Sequence, residues 1–328
     1  MRRFPLLAAV VAVASLLIAA CSSTGQSPGW TSGPPASATT GACGTAPQPG
    51  NLPDWGPPAT TPPVLPILIN SGGELVCGEN RVLFTFVDSS GRPVGAPDRS
   101  ATIAVYDLGR DPATPTATVD GTFVWAIEGE RGVYVANVTF PEAGAYGAEF
   151  RTAAGTGAAS VRLTFDVQPT SSVVKVGQPA PASKTPTLAD VGGDAAKIST
   201  DASPNPAFYQ TSIDAALSSH DPFVVIFATP KFCVSAQCGP TLDRLKPYVS
   251  RYPSITFINV EPYRLKLVDG SLVAEEDANG LIPTETTVQW GLLSEPWVFV
   301  VDRGGIVRGS FELIFSDAEL TAALDAVR

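Results

Sequence analysis

The chain has 328 residues, a formal net charge of −10, 44% apolar and 16% charged residues, and a single His and a single Met. Its length suits about two domains, and 30 Gly with 31 Pro predict long irregular connections between packed elements. An acidic chain lacks the basic face that displaces counterions from nucleic acid, and the His and Met inventory excludes Ser-His-Asp triads, His general bases and His- or Met-rich metal sites. Chemistry must come from carboxylates, hydroxyls or the five cysteines.

At the amino terminus, Arg2 and Arg3 precede an apolar run over residues 4–20. A positive stretch followed by an apolar one is the form of a secretory signal peptide, here 1–20. The run ends Leu17-Ile18-Ala19-Ala20-Cys21, which resembles the bacterial lipobox. The resemblance implies lipidation of Cys21 and a protein anchored in the cell membrane, facing away from the cytoplasm. A plain signal peptide with a nearby cleavage site is the alternative. No other run reaches the roughly 18 apolar residues of a membrane helix. Residues 21–62 read as a disordered tether, dominated by Ser, Thr, Gly, Pro and Ala, with Asp54 the only charge. Such a composition buries too little apolar area to offset its ordering entropy.

Lipidation of Cys21 leaves Cys43, Cys77, Cys233 and Cys238, which permit three pairings. Proximity favours Cys233 with Cys238, leaving Cys43 and Cys77 as a structural disulfide between tether and first domain. Two free thiols are the alternative, disfavoured in an oxidising compartment.

Residues 63–169 carry strand-like runs at 64–69, 81–88, 101–107, 122–128, 133–140, 146–151 and 159–167, divided by turn residues. About seven short strands in some 100 residues is the count of a β-sandwich. Glu142-Ala143-Gly144-Ala145-Tyr146 resembles the tyrosine corner of immunoglobulin-like domains, with Ala148 where their second cysteine stands. The unit reads either as a module that binds a partner or as a spacer.

Residues 170–328 form the second unit. The Pro-rich stretch Val176-Gly177-Gln178-Pro179-Ala180-Pro181 opens it, followed by an expected helix at 208–219 and a fully apolar strand at 223–228. The strand runs into Cys233-Val234-Ser235-Ala236-Gln237-Cys238-Gly239-Pro240, with a helix expected from Pro240, which tolerates a first-turn position. Strands follow at 255–260, 297–302 and 306–311, then a helix at 317–327 capped by Ser316. Between them, 261–294 reads as an insertion with a helix through 281–293 packing beside the cysteines. Trp290 reads as core, and His220 as a solvated turn residue.

The strand, cysteine pair and helix, followed by Glu295-Pro296 before a strand, make the second unit similar to the thioredoxin-like superfamily, nearest its TlpA/ResA-type branch. The expected fold is therefore an all-β immunoglobulin-like sandwich followed by an α/β thioredoxin-like domain. The resemblance implies a cis bond at Pro296, which faces the cysteines, and a substrate groove bordered by the Glu295 backbone. Two features depart from the family. The pair is C-x4-C, and five residues of ideal helix rise about 7.5 Å, beyond the roughly 7 Å Cα limit of a disulfide, so 234–237 must turn. The family's acid on the preceding strand is also missing, with Ile226 and Phe227 in its place. Proton transfer then needs water or another carboxylate, and Glu295 is a candidate. Chain order matches Cys233 to the nucleophile and Cys238 to the resolving thiol, although Cys238 lies nearer the helix terminus, where a thiolate is stabilised.

The leading expectation is a thiol-disulfide oxidoreductase acting on protein thiols or disulfides outside the cytoplasm, with no cofactor and no metal. The alternative is a redox-inactive binding or scaffold lipoprotein with a structural disulfide. Copper delivery of the Sco type is opposed by the lack of any His after the pair. The peroxiredoxin pattern fits neither cysteine.

Overall fold

The computed structural model describes residues 43–328 except 59, 155 and 156. The expected leader 1–20, the lipidation site Cys21 and the tether as far as 42 lie outside the described residues. What is described is mainly β-strand, with four α-helices.

The first unit is a two-layer sandwich of β1 (Val64–Leu68), β2 (Gly78–Asp88), β3 (Ser100–Asp107), β4 (Ala117–Asp120), β5 (Thr122–Ile127), β6 (Arg131–Phe140), β7 (Gly144–Ala154) and β8 (Gly157–Val167). One sheet runs β1-β2-β6-β5 and the other β4-β3-β7-β8, every pairing antiparallel. Alternation puts Val82, Phe84 and Phe86 of β2 and Tyr134, Ala136 and Val138 of β6 against Ile103, Val105 and Phe150 of the other sheet. The Tyr146 hydroxyl donates to the Glu142 carbonyl at 3.0 Å, closing the tyrosine corner. Strand β4 has no counterpart in the expected elements, because its four residues bury no side chain fully. Gly121 alone divides it from β5, and a Cβ there would lie 2.8 Å from the Phe84 ring.

The tether expected to extend to residue 62 is corrected by the packing of residues 43–58. Trp55 is only 7% exposed. It meets the Tyr106 ring edge-on at 4.9 Å, packs with Ala104 and Leu108, and donates its indole N–H to the Pro112 carbonyl. A Cβ at Gly147 would come within 2.2 Å of the indole. Composition alone hid this, because one buried aromatic contributes about 2 kcal/mol and Cys43 is bonded to Cys77.

The second unit is built on a four-stranded sheet containing β9 (Phe223–Phe227) and β10 (Thr256–Val260), which run parallel. The loop after β10 carries the hairpin β11 (Leu265–Val268) and β12 (Ser271–Ala274), the small ladder β13 (Glu276–Asp277) and β14 (Gly280–Leu281), and a short helix. The sheet is completed antiparallel by β15 (Trp297–Val301) and β16 (Val307–Glu312), in the order β10-β9-β15-β16. Every residue of β9 is buried. Val224 and Ile226 face the helices α2 (Cys238–Arg251) and α4 (Asp317–Asp325), while Phe223, Val225 and Phe227 face α1 (Ile213–Ser219) and Trp290. Trp290 is fully buried, as expected of core, 4.8 Å from the Phe299 ring.

Three expected helices are redrawn. The helix at 208–219 divides into a 3-10 turn, Pro206–Tyr209, and α1, because the Ser212 hydroxyl caps α1 at Ala215 N–H. Helix α2 starts two residues before Pro240, which makes Cys238 its first residue. The helix through 281–293 shrinks to α3 (Glu285–Gln289), capped by Thr284. Asp269 and Gly270 both take positive φ in the β11–β12 turn, the short-range signature of a hairpin.

The two units pack together. Leu83, Val124, Ala126, Val133 and Val135, on the outer face of β2, β5 and β6, cover Ile314 and Leu313 after β16. Beside this apolar contact, Arg81 donates to Glu319 at 2.6 and 3.1 Å, and Arg244 to the Trp125 carbonyl at 3.0 Å.

Candidate functional site

The site lies where β9 hands over to α2. Cys233 and Cys238 are disulfide-bonded with Cα atoms 6.0 Å apart. That approach is possible because 234–237 leave helical geometry, with Ala236 at φ 61°. The two sulfurs are unequal. Cys238 is fully buried, and Cys233 is half-buried. The N–H of Cys238, the first residue of α2, donates to Cys233 Sγ at 3.2 Å, and the Ser235 hydroxyl lies 3.4 Å from the same sulfur. The Cys233 sulfur thereby takes one of the backbone donors that every helix start leaves without an intrahelical partner.

Glu295 reaches the same point from the start of the neighbouring strand β15. It is 3% exposed, and its peptide bond to Pro296 is cis. Its Oε1 accepts the Val234 N–H at 2.8 Å and its Oε2 the Tyr263 hydroxyl at 2.7 Å. A carboxylate oxygen and both sulfurs lie within 4.8 Å of one another. Burial pushes the Glu295 carboxyl above its ordinary range, against the opposing hydrogen bonds from Tyr263 and Val234. Burial, and then the Glu295 charge, likewise hold the Tyr263 phenol up and protonated. The Glu295 backbone, expected to border a substrate groove, is covered by the cysteine loop itself. Its carbonyl accepts the Ser235 hydroxyl at 2.8 Å, because the two extra loop residues reach across to it.

A second acid lies at the end of β10. Glu261 is pushed up to about 7, chiefly by burial. One oxygen accepts the Thr200 N–H at 2.6 Å, and the other is buried without a hydrogen bond. The Thr200 hydroxyl also accepts from Lys231 N–H at 3.3 Å, which links this acid to the cysteine loop. The Lys231 ammonium donates to the Leu272 carbonyl at 2.7 Å and ties the β11–β12 hairpin to the loop.

Cys233, Cys238, Glu295 and Pro296 therefore come together as one site. Cys43 and Cys77 form a separate disulfide, with Cα atoms 6.3 Å apart. His220 caps α1 in a left-handed conformation and faces solvent. Tyr263 and Glu261 were missed from sequence. The one available signal was a Glu-Pro-Tyr stretch directly after an apolar strand. The Cys233, Cys238 and Glu295 trio has the atom types of a metal site. While the sulfurs are joined they carry no thiolate charge to give.

No family model and no curated protein matches the chain. Among solved structures, it is similar to a DUF4426 family protein from Pseudomonas aeruginosa, at 15% identity and a TM-score of 0.23, over 33% of this chain and 90% of that one. It is also similar to the Lin-41 filamin domain, at 14% identity and a TM-score of 0.22, over 33% of this chain and 95% of that one. Likenesses at this level carry no argument for fold or activity.

Proposed function

We propose that this protein is a thiol-disulfide oxidoreductase with a thioredoxin-like, TlpA/ResA-type second unit and an immunoglobulin-like first one, tethered outside the cytoplasm by lipid on Cys21. The observation that carries the reading is the inequality of the two sulfurs at the start of α2. Exchange needs one sulfur that a client can reach and that bears negative charge easily, and a second kept back to resolve the mixed disulfide. Cys233 is half-buried and receives a helix-terminal N–H, whereas Cys238 is sealed beneath it. The strand order β10-β9-β15-β16 supports the same reading.

In the reducing direction, the Cys233 thiolate attacks one sulfur of a client disulfide and displaces a client thiolate. Cys238 then attacks Cys233 Sγ and displaces the second client thiolate. The client gains two electrons, and the Cys233–Cys238 disulfide forms. Oxidation of a client dithiol is the same path reversed. The partners are protein thiols or disulfides.

The test uses single serine variants and a disulfide-bonded peptide. Cys238→Ser is expected to accumulate a covalent adduct on Cys233, and Cys233→Ser to form none. The reduction potential of the pair is expected above about −300 mV, the upper bound of structural disulfides. A lower potential without any adduct would leave a redox-inactive scaffold with a structural disulfide.

A further inference from the structure

We infer that Glu295 is the proton acceptor and donor for the buried thiol of Cys238, within the exchange reaction proposed above, on which this assignment rests. Resolution requires Cys238, whose side chain is fully buried, to lose a proton. The strand beneath the loop offers no base, since Ile226 and Phe227 are apolar and fully buried. A carboxylate reaches the sulfurs from a different element, the residue before Pro296, with an oxygen within 4.8 Å of each sulfur. That distance lies one small displacement or one water from hydrogen-bond reach, and such contacts commonly tighten only during reaction.

The surroundings of Glu295 suit the task. Its oxygens are held by the Val234 amide and the Tyr263 hydroxyl, which fix its direction and leave lone pairs for the thiol. The titratable groups that face it are the neutral Tyr263 phenol and the two cysteines. With no cation among its partners in the described residues, burial keeps its affinity for a proton above that of an ordinary carboxylate. Tyr263 acts here as a positioning residue.

The proton then follows the electrons. After Cys233 has formed the mixed disulfide, the Glu295 carboxylate takes the proton from the Cys238 S–H. The Cys238 thiolate attacks Cys233 Sγ, the Cys233–client bond breaks, and the client sulfur leaves as thiolate. The proton on Glu295 passes to that thiolate or to solvent. When an incoming thiolate opens the Cys233–Cys238 disulfide instead, Glu295 returns a proton to Cys238 as it leaves.

The experiment mixes reduced full-length protein with an aromatic disulfide reagent and follows release of the coloured thiolate across pH. Release has two phases, a bimolecular one for attack by Cys233 and a first-order one for resolution by Cys238. Glu295→Gln is read on the ratio of the two phases within the one variant. It should slow the second relative to the first about 100-fold near neutral pH, the lower end of general-base effects, and remove the lower inflection from its pH profile. Glu295→Asp should restore part of the rate. Tyr263→Phe keeps the carboxylate but removes a donor that favours its charged form, so the inflection should move to higher pH. This variant also carries the test if Glu295→Gln fails to fold. A second phase in Glu295→Gln with the wild-type ratio to the first and the wild-type pH profile, or an inflection unmoved in Tyr263→Phe, overturns the assignment while the exchange reading stands. Absence of the first phase in wild type overturns the exchange reading itself and the role of Glu295 with it.

Discussion

Cys43–Cys77 joins residues 34 apart in sequence, and Cys233–Cys238 joins residues five apart. By loop-closure entropy the first contributes about 4 kcal/mol and the second about 2 kcal/mol to the folded state. The first also fastens the segment that seats Trp55 on the sandwich, whereas the second lies beside a buried acid. Two buried acids, one from each unit, make a similar contrast. In the sandwich, burial of Glu149 is outweighed by hydrogen bonds from Arg151, Ser160 and Arg162, which hold it down to about 2. In the second unit, burial holds Glu261 up to about 7, and raises Glu295 and Glu312 as well. Burial also raises Glu74 in the first unit, and Arg81 holds Glu319 down against its burial in the second, so the contrast is between individual sites.

The largest effect that sharpens this contrast is expected from Cys43→Ser combined with Cys77→Ser. Denaturant unfolding should show a loss of about 4 kcal/mol, with attack by Cys233 unchanged. A loss under about 1 kcal/mol would refute the stapling role, since it would fall well short of the loop-closure value.

Trp55→Ala should cost about 3 kcal/mol, at the low end for large buried aromatics. Added to the Cys43 variant it should cost less than the sum, because both act on one segment. Strict additivity in the same titration would separate the two.

The opposed acids predict opposed pH dependences. The Glu149 contribution is present at neutral pH and is lost as pH falls from the ordinary carboxylate range towards 2. The Glu261 contribution is complete below that range and is lost as pH rises through about 7. Its size is up to about 3 kcal/mol. Chemical unfolding between pH 5 and 8 should show this decline, and Glu261→Gln should make it shallower, with Glu312, pushed up to about 8, sustaining the rest. An equally steep decline in the variant would assign it to other groups.

The smallest effect on stability is expected from the Cys233–Cys238 pair. Cys233→Ser with Cys238→Ser should cost about 2 kcal/mol and abolish mixed-disulfide formation. The same denaturant titration that reads the Cys43 pair measures the cost, and a loss as large as that pair's would erase the distinction.

Much of this arrangement is legible in the sequence where the local pattern and the fold agree. Seven sandwich strands follow from alternation such as Tyr134, Ala136 and Val138, and the cysteine pairing follows from proximity. The turn forced on 234–237 follows from helix geometry alone. Trp55 stayed hidden because its Pro- and Gly-rich neighbours say nothing of the Gly147 notch that receives it. The β11–β12 hairpin was available in Asp269-Gly270, but the apolar residues after it drew the reading towards a helix. The Glu295 carboxyl was legible only as a candidate. Its place between Val234 and Tyr263 depends on contacts 61 and 32 residues away.

The packing of Trp55 and the Cys43–Cys77 bond also set the length of the leash. Under the proposed anchoring at Cys21, a leash ending at residue 62 could reach at most about 150 Å, at roughly 3.5 Å per residue. With Cys43 fastened to Cys77, the contour from Cys21 to Cys43 sets the limit, which falls to about 75 Å. Halving the radius cuts the volume the reactive pair can sweep about eightfold, which raises its effective concentration towards clients at the bilayer surface.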